Sequence, residues 1–133
     1  MADLYSALDL GEMLNEGLVL DFEANNAITK GQAVKLIAVA SDLPKVDVAG
    51  AGDMAVGVAM KTVAQGEQCS VAMNGAIIKV TGSGAITAGA AVKSGAAGVV
   101  VAGTRLTDGT IFASALQTFT DGDTGLILIG GMA

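Results

Sequence analysis

The chain has no histidine and no tryptophan, one cysteine, one proline, one tyrosine and three phenylalanines in 133 residues. Each shortage excludes something. Without histidine there is no Ser–His or Cys–His pair, and the commonest general base is missing. With Cys69 alone, no internal disulfide and no cysteine metal cluster can form. The run Gln68-Cys69-Ser70-Val71 reads instead as a small residue in a half-buried strand, and it suits a reducing compartment. Tyr5, Phe22, Phe112 and Phe119 are too few to build the aromatic platforms of a carbohydrate site. Charges interrupt every apolar stretch before the roughly 20 residues that a membrane-spanning helix needs. No basic region followed by an apolar run opens the chain, so a secretory signal is not expected.

What remains is aliphatic. Apolar residues make up 52% of the chain, almost all of them Ala, Val, Ile, Leu and Met, and Gly occurs 19 times. That is a folding composition rather than a disordered one. High hydrophobicity without a membrane span implies apolar surface buried against other subunits. The net charge of −6 is uneven. Asp3, Asp9, Glu12, Glu16, Asp21 and Glu23 crowd a stretch with no Lys or Arg, and the rest of the chain is neutral. Such a balance argues against nucleic acid, which needs a basic footprint. It suits either solubility or docking on a basic protein surface.

The chain also says the same thing twice. Ala27-Ile28-Thr29-Lys30-Gly31-Gln32-Ala33-Val34-Lys35 returns 58 positions later as Ala85-Ile86-Thr87-Ala88-Gly89-Ala90-Ala91-Val92-Lys93. Met60-Lys61-Thr62, with Gly66-Glu67, Val71, Met73 and Gly75, returns 56 positions later. Its second copy is Leu116-Gln117-Thr118, with Gly122-Asp123, Ile127, Ile129 and Gly131. One two-residue deletion reconciles the offsets. Within the copies the signals are β. Strands are expected at 18–22, 34–39, 69–73 and 76–80, then at 91–93, 98–102, 110–116 and 125–129. Val56, Val58 and Met60 alternate onto one face. The loop 43–53 has room for one edge strand. Asn74-Gly75 predicts a hairpin turn between its flanking strands, and Asp108-Gly109 another turn. Gly31, Gly66, Gly75, Gly89, Gly122 and Gly131 are read as structural turn glycines, at positions that residues with a Cβ avoid. The expected fold is all-β, a small β-barrel or compact β-sandwich built from an internal duplication. An acidic N-terminal arm, 1–23, precedes a β domain, 24–133, whose copies span about 27–75 and 85–131. The first 16 residues read as a short helix or an extended arm, interrupted by Gly11.

The motifs carry no chemistry. Gly50-Ala51-Gly52-Asp53-Met54-Ala55 formally matches a dinucleotide fingerprint, but a loop precedes it and a strand pattern follows. Asp121 and Asp123 flank Gly122, whereas the first copy has Gln65-Gly66-Glu67, so a solvated turn is the better reading. Asp42, Asp47 and Asp53 lack EF-hand spacing. Met60 and Met73 match Leu116 and Ile129 and are read as core, while Lys35 and Lys93 are read as solvent-facing strand ends. No catalytic, cofactor-binding or metal-binding residue is assigned.

Three blocks nevertheless resemble a known family. They are Gly52-Asp53-Met54-Ala55-Val56-Gly57-Val58-Ala59 with Ala64-Gln65-Gly66-Glu67-Gln68-Cys69-Ser70-Val71 and Asn74-Gly75, then 85–92, then 108–131. In order and spacing they are similar to small capsid decoration (cement) proteins of tailed viruses, the bacteriophages. The resemblance covers 27–131 and leaves the arm outside it. It implies a non-enzymatic, β-rich virion protein without cofactors, which binds the outside of an assembled head and stabilises it. The implied partners are the major capsid protein and further copies of the chain, a homotrimer before a dimer, with no nucleic acid and no membrane. The implied location is the outer capsid surface, after synthesis in the host cytoplasm. Leu4, Tyr5, Leu8, Leu10, Met13, Leu14, Leu18 and Leu20 are the candidate capsid or inter-subunit contacts. The rival reading is a small-barrel binding module for a host surface or carbohydrate.

Overall fold

A computed structural model describes residues 13–15, 17–37, 44–104 and 107–130. The described residues form eleven short strands and no α-helix. They are β1 (Met13–Asn15), β2 (Val19–Ala24), β3 (Ala33–Ile37), β4 (Lys45–Val48), β5 (Gly57–Ala59), β6 (Gln68–Ala72), β7 (Ile77–Thr81), β8 (Ala91–Ser94), β9 (Val100–Gly103), β10 (Ile111–Ala115) and β11 (Thr124–Ile129). Five of them close into a barrel in the order β2-β4-β3-β5-β6. Its β2–β4 pairing is parallel and its other pairings are antiparallel.

The duplication organises the second half in the same way. Strands β7, β11, β10, β8 and β9 follow one another in the order that β2, β6, β5, β3 and β4 keep in the barrel. Where β2 and β4 pair through Glu23–Lys45 and Ala24–Val46, the second half has a single parallel bridge, Gly82–Val100. Small contacts repeat as well. Ile28 bridges Val63 and Ile86 bridges Phe119. The Lys30 N–H donates to Thr62 Oγ1 (3.1 Å) and the Ala88 N–H to Thr118 Oγ1 (3.0 Å). The expected barrel is therefore present twice, once closed and once held at one bridge, with β1 added to the outer edge of β7.

Each unit fills its interior with equivalent residues of different size. The first buries Phe22, Ala24, Ile28, Val34, Val46, Ala59, Val63, Cys69 and Val71 in one cluster. At the matching positions the second has Val80, Gly82, Ile86, Val92, Val100, Ala115, Phe119, Gly125 and Ile127. The aromatic ring has moved from β2 to the segment before β11. A Cβ on Gly125 or Gly82 would collide with the Phe119 ring. Gly82 and Gly125 are therefore spaces for that ring, and Ala24 and Cys69 are what fits when the ring is elsewhere. The second unit's interior is continuous with the junction, where Ala33, Ala49, Ala55, Val58 and Ala72 of the first unit meet Ile78, Phe112, Ala113 and Ile129 of the second.

Several expectations change. Asn74-Gly75 is not a hairpin. Gly75 has the positive φ expected of it (87°). However, β6 pairs with β2 and β5, and β7 pairs with β11 and β1, so the two flanking strands part into different units. Each already has a partner inside its own barrel. The acidic segment 1–23 is not all arm, because its residues from Val19 onward belong to barrel strand β2 and Met13–Asn15 pairs with β7. The strand expected at 98–102 begins at Val100, after a 3-10 turn at Ala96–Gly98. Of the alternating 54–61 stretch only Gly57–Ala59 is strand, and all three residues are buried. Val58 joins the cluster between the units, and Ala59 fills the barrel.

Replacing Gly125 with Ala should lower stability by about 1–3 kcal/mol through overpacking against Phe119. Combining it with Phe119→Val, which copies the first unit, should cost much less than the sum of the single changes. Urea unfolding of the four proteins of the cycle measures both.

Candidate functional site

The face of β2 that lines the barrel begins outside it. Leu18, Leu20, Phe22 and Ala24 alternate along one side, with exposures of 48%, 43%, 9% and 1%. The first two leucines therefore leave the barrel mouth into solvent. Their counterparts in the second unit, Ala76 and Ile78, are fully buried. There β1 lies along the strand, with Met13 opposite Ile78 and Asn15 opposite Ile77. Ala76 and Ile78 also belong to the cluster that joins the units, so the same position is covered in one unit and exposed in the other. Among the expected contact residues, Met13 and Leu14 lie on β1, and Leu18 and Leu20 lie at this mouth. Leu4, Tyr5, Leu8 and Leu10 fall outside the described residues.

A second apolar feature follows the junction of the units. It is a groove of about 400 Å³ lined by Met54, Val56, Met73, Ile111, Phe112 and Ile129, with Asn74 and Gly130 among its other residues. Val56 and Phe112 are equivalent positions, as are Met73 and Ile129, so both copies contribute the same residues to it. Met54 is half exposed. The internal comparison had already marked Met60 and Met73 as core, and both pack partly buried against the two clusters. Neither the groove nor the exposed Leu36 and Leu116 was expected from the sequence. Leu36 and Leu116 follow the strand alternation of buried residues, and only their place at a strand end exposes them.

The polar side chains hold loops. Asp53 accepts the Gly50 N–H (2.8 Å) and the Lys35 ammonium (2.9 Å). Asp108 accepts the Thr104 N–H (2.7 Å) and the Lys93 ammonium (3.0 Å). Lys35 and Lys93 are therefore paired rather than simply solvent-facing, in the same arrangement in both copies. The backbone donors first and the lysines second hold both carboxyls below the usual carboxylate range. Burial works to raise the Asp47 carboxyl. The Asn26 amide, the Val48 N–H and the Asn25 amide outweigh it and leave the group lowered. The nucleotide-like stretch 50–55 is thus a carboxylate-tied turn. Asp121 accepts the Gly84 N–H, and Asp123 is bonded by the Thr120 hydroxyl. The Cys69 thiol is fully buried, and burial pushes its pKa up. The turn glycines Gly31, Gly66, Gly75, Gly89 and Gly122 all take positive φ, while Gly131 lies outside the described residues.

The described surface thus combines apolar patches with carboxylates that tie turns, as at Asp53 and Asp108, or that pair strands, as Glu23 does with Lys45. The model of the phage cement protein family matches residues 14–130. The chain belongs to the phage cement proteins. Membership in that family makes it a capsid-associated structural protein of a phage, and the family is not a class of enzymes. No curated protein matches the chain. Among solved structures, the head fiber gp8.5 N base in bacteriophage phi29 is similar, with a TM-score of 0.68. The match covers 85% of this chain and 93% of that one at 18% identity, so the likeness concerns the fold. The described residues of the cement protein are all-β, and it shares its fold with that structure.

The lowered carboxyls set an acid limit for this cement protein. A group whose pKa is depressed on folding contributes stability above its unfolded value, and that contribution is lost as the pH falls through the folded value. The melting temperature should therefore hold near neutrality and drop below about pH 4, the usual range of a free Asp. Asp53→Asn with Asp108→Asn should flatten the profile between pH 5 and pH 2, as measured by circular dichroism melts.

Proposed function

We propose that this cement protein decorates the outer surface of the assembled phage shell and stabilises it by burying apolar area across capsomer boundaries. The family match over 14–130 carries the reading. The apolar groove along the junction, lined by Met54, Val56, Met73 and Ile111, supports it, since apolar surface on a small folded protein marks an interface. Many copies, each burying on the order of 1,000 Å², raise the cost of separating capsomers together. The partners are the major capsid protein and other copies of the chain, a trimer before a dimer, with neither nucleic acid nor membrane involved. Synthesis in the reducing host cytoplasm agrees with a single cysteine that is fully buried. A carbohydrate-binding role is the weaker reading. Phe22, Phe112 and Phe119 are all in the core, so the described residues display no aromatic platform.

Purified protein should co-sediment saturably, at a fixed ratio to the major shell protein, with heads stripped of their small surface proteins. No binding to intact, expanded heads refutes decoration. Removing residues 1–12 keeps β1 and should leave the barrels folded. It should weaken head binding by about tenfold or more, the worth of one or two large apolar side chains. Undiminished binding refutes a role for those residues.

A further inference from the structure

The two units differ at one place in a way that the repeat makes legible. On β7, the edge facing away from β11 is paired with β1 at Ile77 and Ile78. The equivalent edge of β2 lies opposite β6, at Val19 and Leu20. Among the described residues, β4 pairs with this edge only at Glu23 and Ala24. The Leu18 N–H donates to the Asn74 carbonyl and the Ala24 N–H to the Glu67 carbonyl, so even-numbered residues of β2 turn their backbone groups toward β6. The Glu23 N–H donates the other way, to the Pro44 carbonyl, so Val19 and Asp21 present theirs on the outer side. Among the described residues nothing pairs with this edge at Val19 and Asp21, and such an edge beside two half-exposed leucines is a template for an added strand.

We propose that the outer edge of β2 at Val19–Asp21 takes an extended strand from the N-terminal segment Leu4–Leu10 of a second copy of this chain. Three observations identify the occupant. First, the matching edge in the second unit is covered by β1, which belongs to the same N-terminal region. Second, the segment upstream of β1 offers Leu4, Tyr5, Leu8 and Leu10 to meet Leu18 and Leu20. Its twelve residues span about 40 Å when extended, enough to cross to a neighbour. Third, β1 runs antiparallel to β7, with Asn15 at Ile77 and Met13 at Ile78. Its N-terminal end therefore points along β7 toward Lys79, away from the Asn74–Gly75 turn beside which Leu18 is bonded. The described end of β1, at Met13, thus leads away from the start of β2, which favours a neighbour's edge.

The proposal rests on the reading that the cement protein works as an oligomer, and light scattering of the full chain tests that reading separately. The strand itself is tested by disulfide trapping in a Cys69→Ala background, since Cys69 is buried and matches a glycine in the second unit. Chains carrying only Leu8→Cys are mixed with chains carrying only Leu20→Cys and oxidised. The expected result is a mixed disulfide-linked pair of twice the chain mass, lost when Leu4 and Tyr5 are changed to Asp. An oligomer without that band overturns the strand exchange and leaves the oligomer standing, whereas a monomer overturns both. A disulfide within one chain, from Leu20→Cys to Leu8→Cys or to Leu43→Cys, gives the edge to the chain's own segments and overturns the proposal. Protection of the Leu20→Cys thiol from maleimide only after heads are added gives the edge to the shell and overturns it too.

Discussion

A five-stranded barrel leaves little room inside, and that narrowness governs the rest of this molecule. Each unit has space for one phenylalanine ring among small aliphatic side chains. The first unit places the ring at Phe22 and the second at Phe119, with Gly82 and Gly125 opened to receive it. A duplicated scaffold can drift in sequence only if its interior volume stays constant, and the exchange of ring for glycines shows how that was met. The scarcity of aromatics is the compositional trace of the same limit.

The outer faces follow from the interiors. Because a strand alternates, filling the barrel with Ala59 leaves Val58 pointing outward, and the other unit is what covers it. The two barrels are therefore one folded body joined through a shared apolar layer of small residues. The link between them runs through Asn74-Gly75, where Gly17 lies so close that a Cβ would strike the turn backbone. A sequence pair that usually reverses a hairpin here passes the chain from one barrel to the next.

Function in such a protein lies on the surface that the barrels leave uncovered. Two ion pairs that the copies share, Lys35–Asp53 and Lys93–Asp108, tie a strand to a loop in each unit. Beside them the surface offers apolar patches, the leucines at the first barrel mouth and the groove at the junction. A structural partner of a shell needs a rigid body with apolar contact area, and this fold supplies both. The break in the internal repeat is as informative as the repeat, because the covered edge of β7 shows what the open edge of β2 lacks.

The all-β class, the duplication and the family resemblance were all legible in the chain. They rest on local patterns: alternation, turn glycines and words that recur at fixed offsets. Comparing the copies marked Met60 and Met73 as core, but both pack only partly buried against the clusters, and Leu116, the counterpart of Met60, is exposed. Which strands pair was not legible, because register and partner depend on residues far apart in sequence. Asn74-Gly75 has the local chemistry of a hairpin, yet its flanking strands are claimed by β2 and β11. The ion pairs of Lys35 and Lys93 join a strand to a loop 15 to 18 residues on, a separation that carries no periodic signal. Leu18 and Leu20 could be named from the sequence as contact candidates, but their alternation with Phe22 and Ala24 alone does not say where burial ends. Only the closed barrel sets where its interior stops, and so which leucines are left in water.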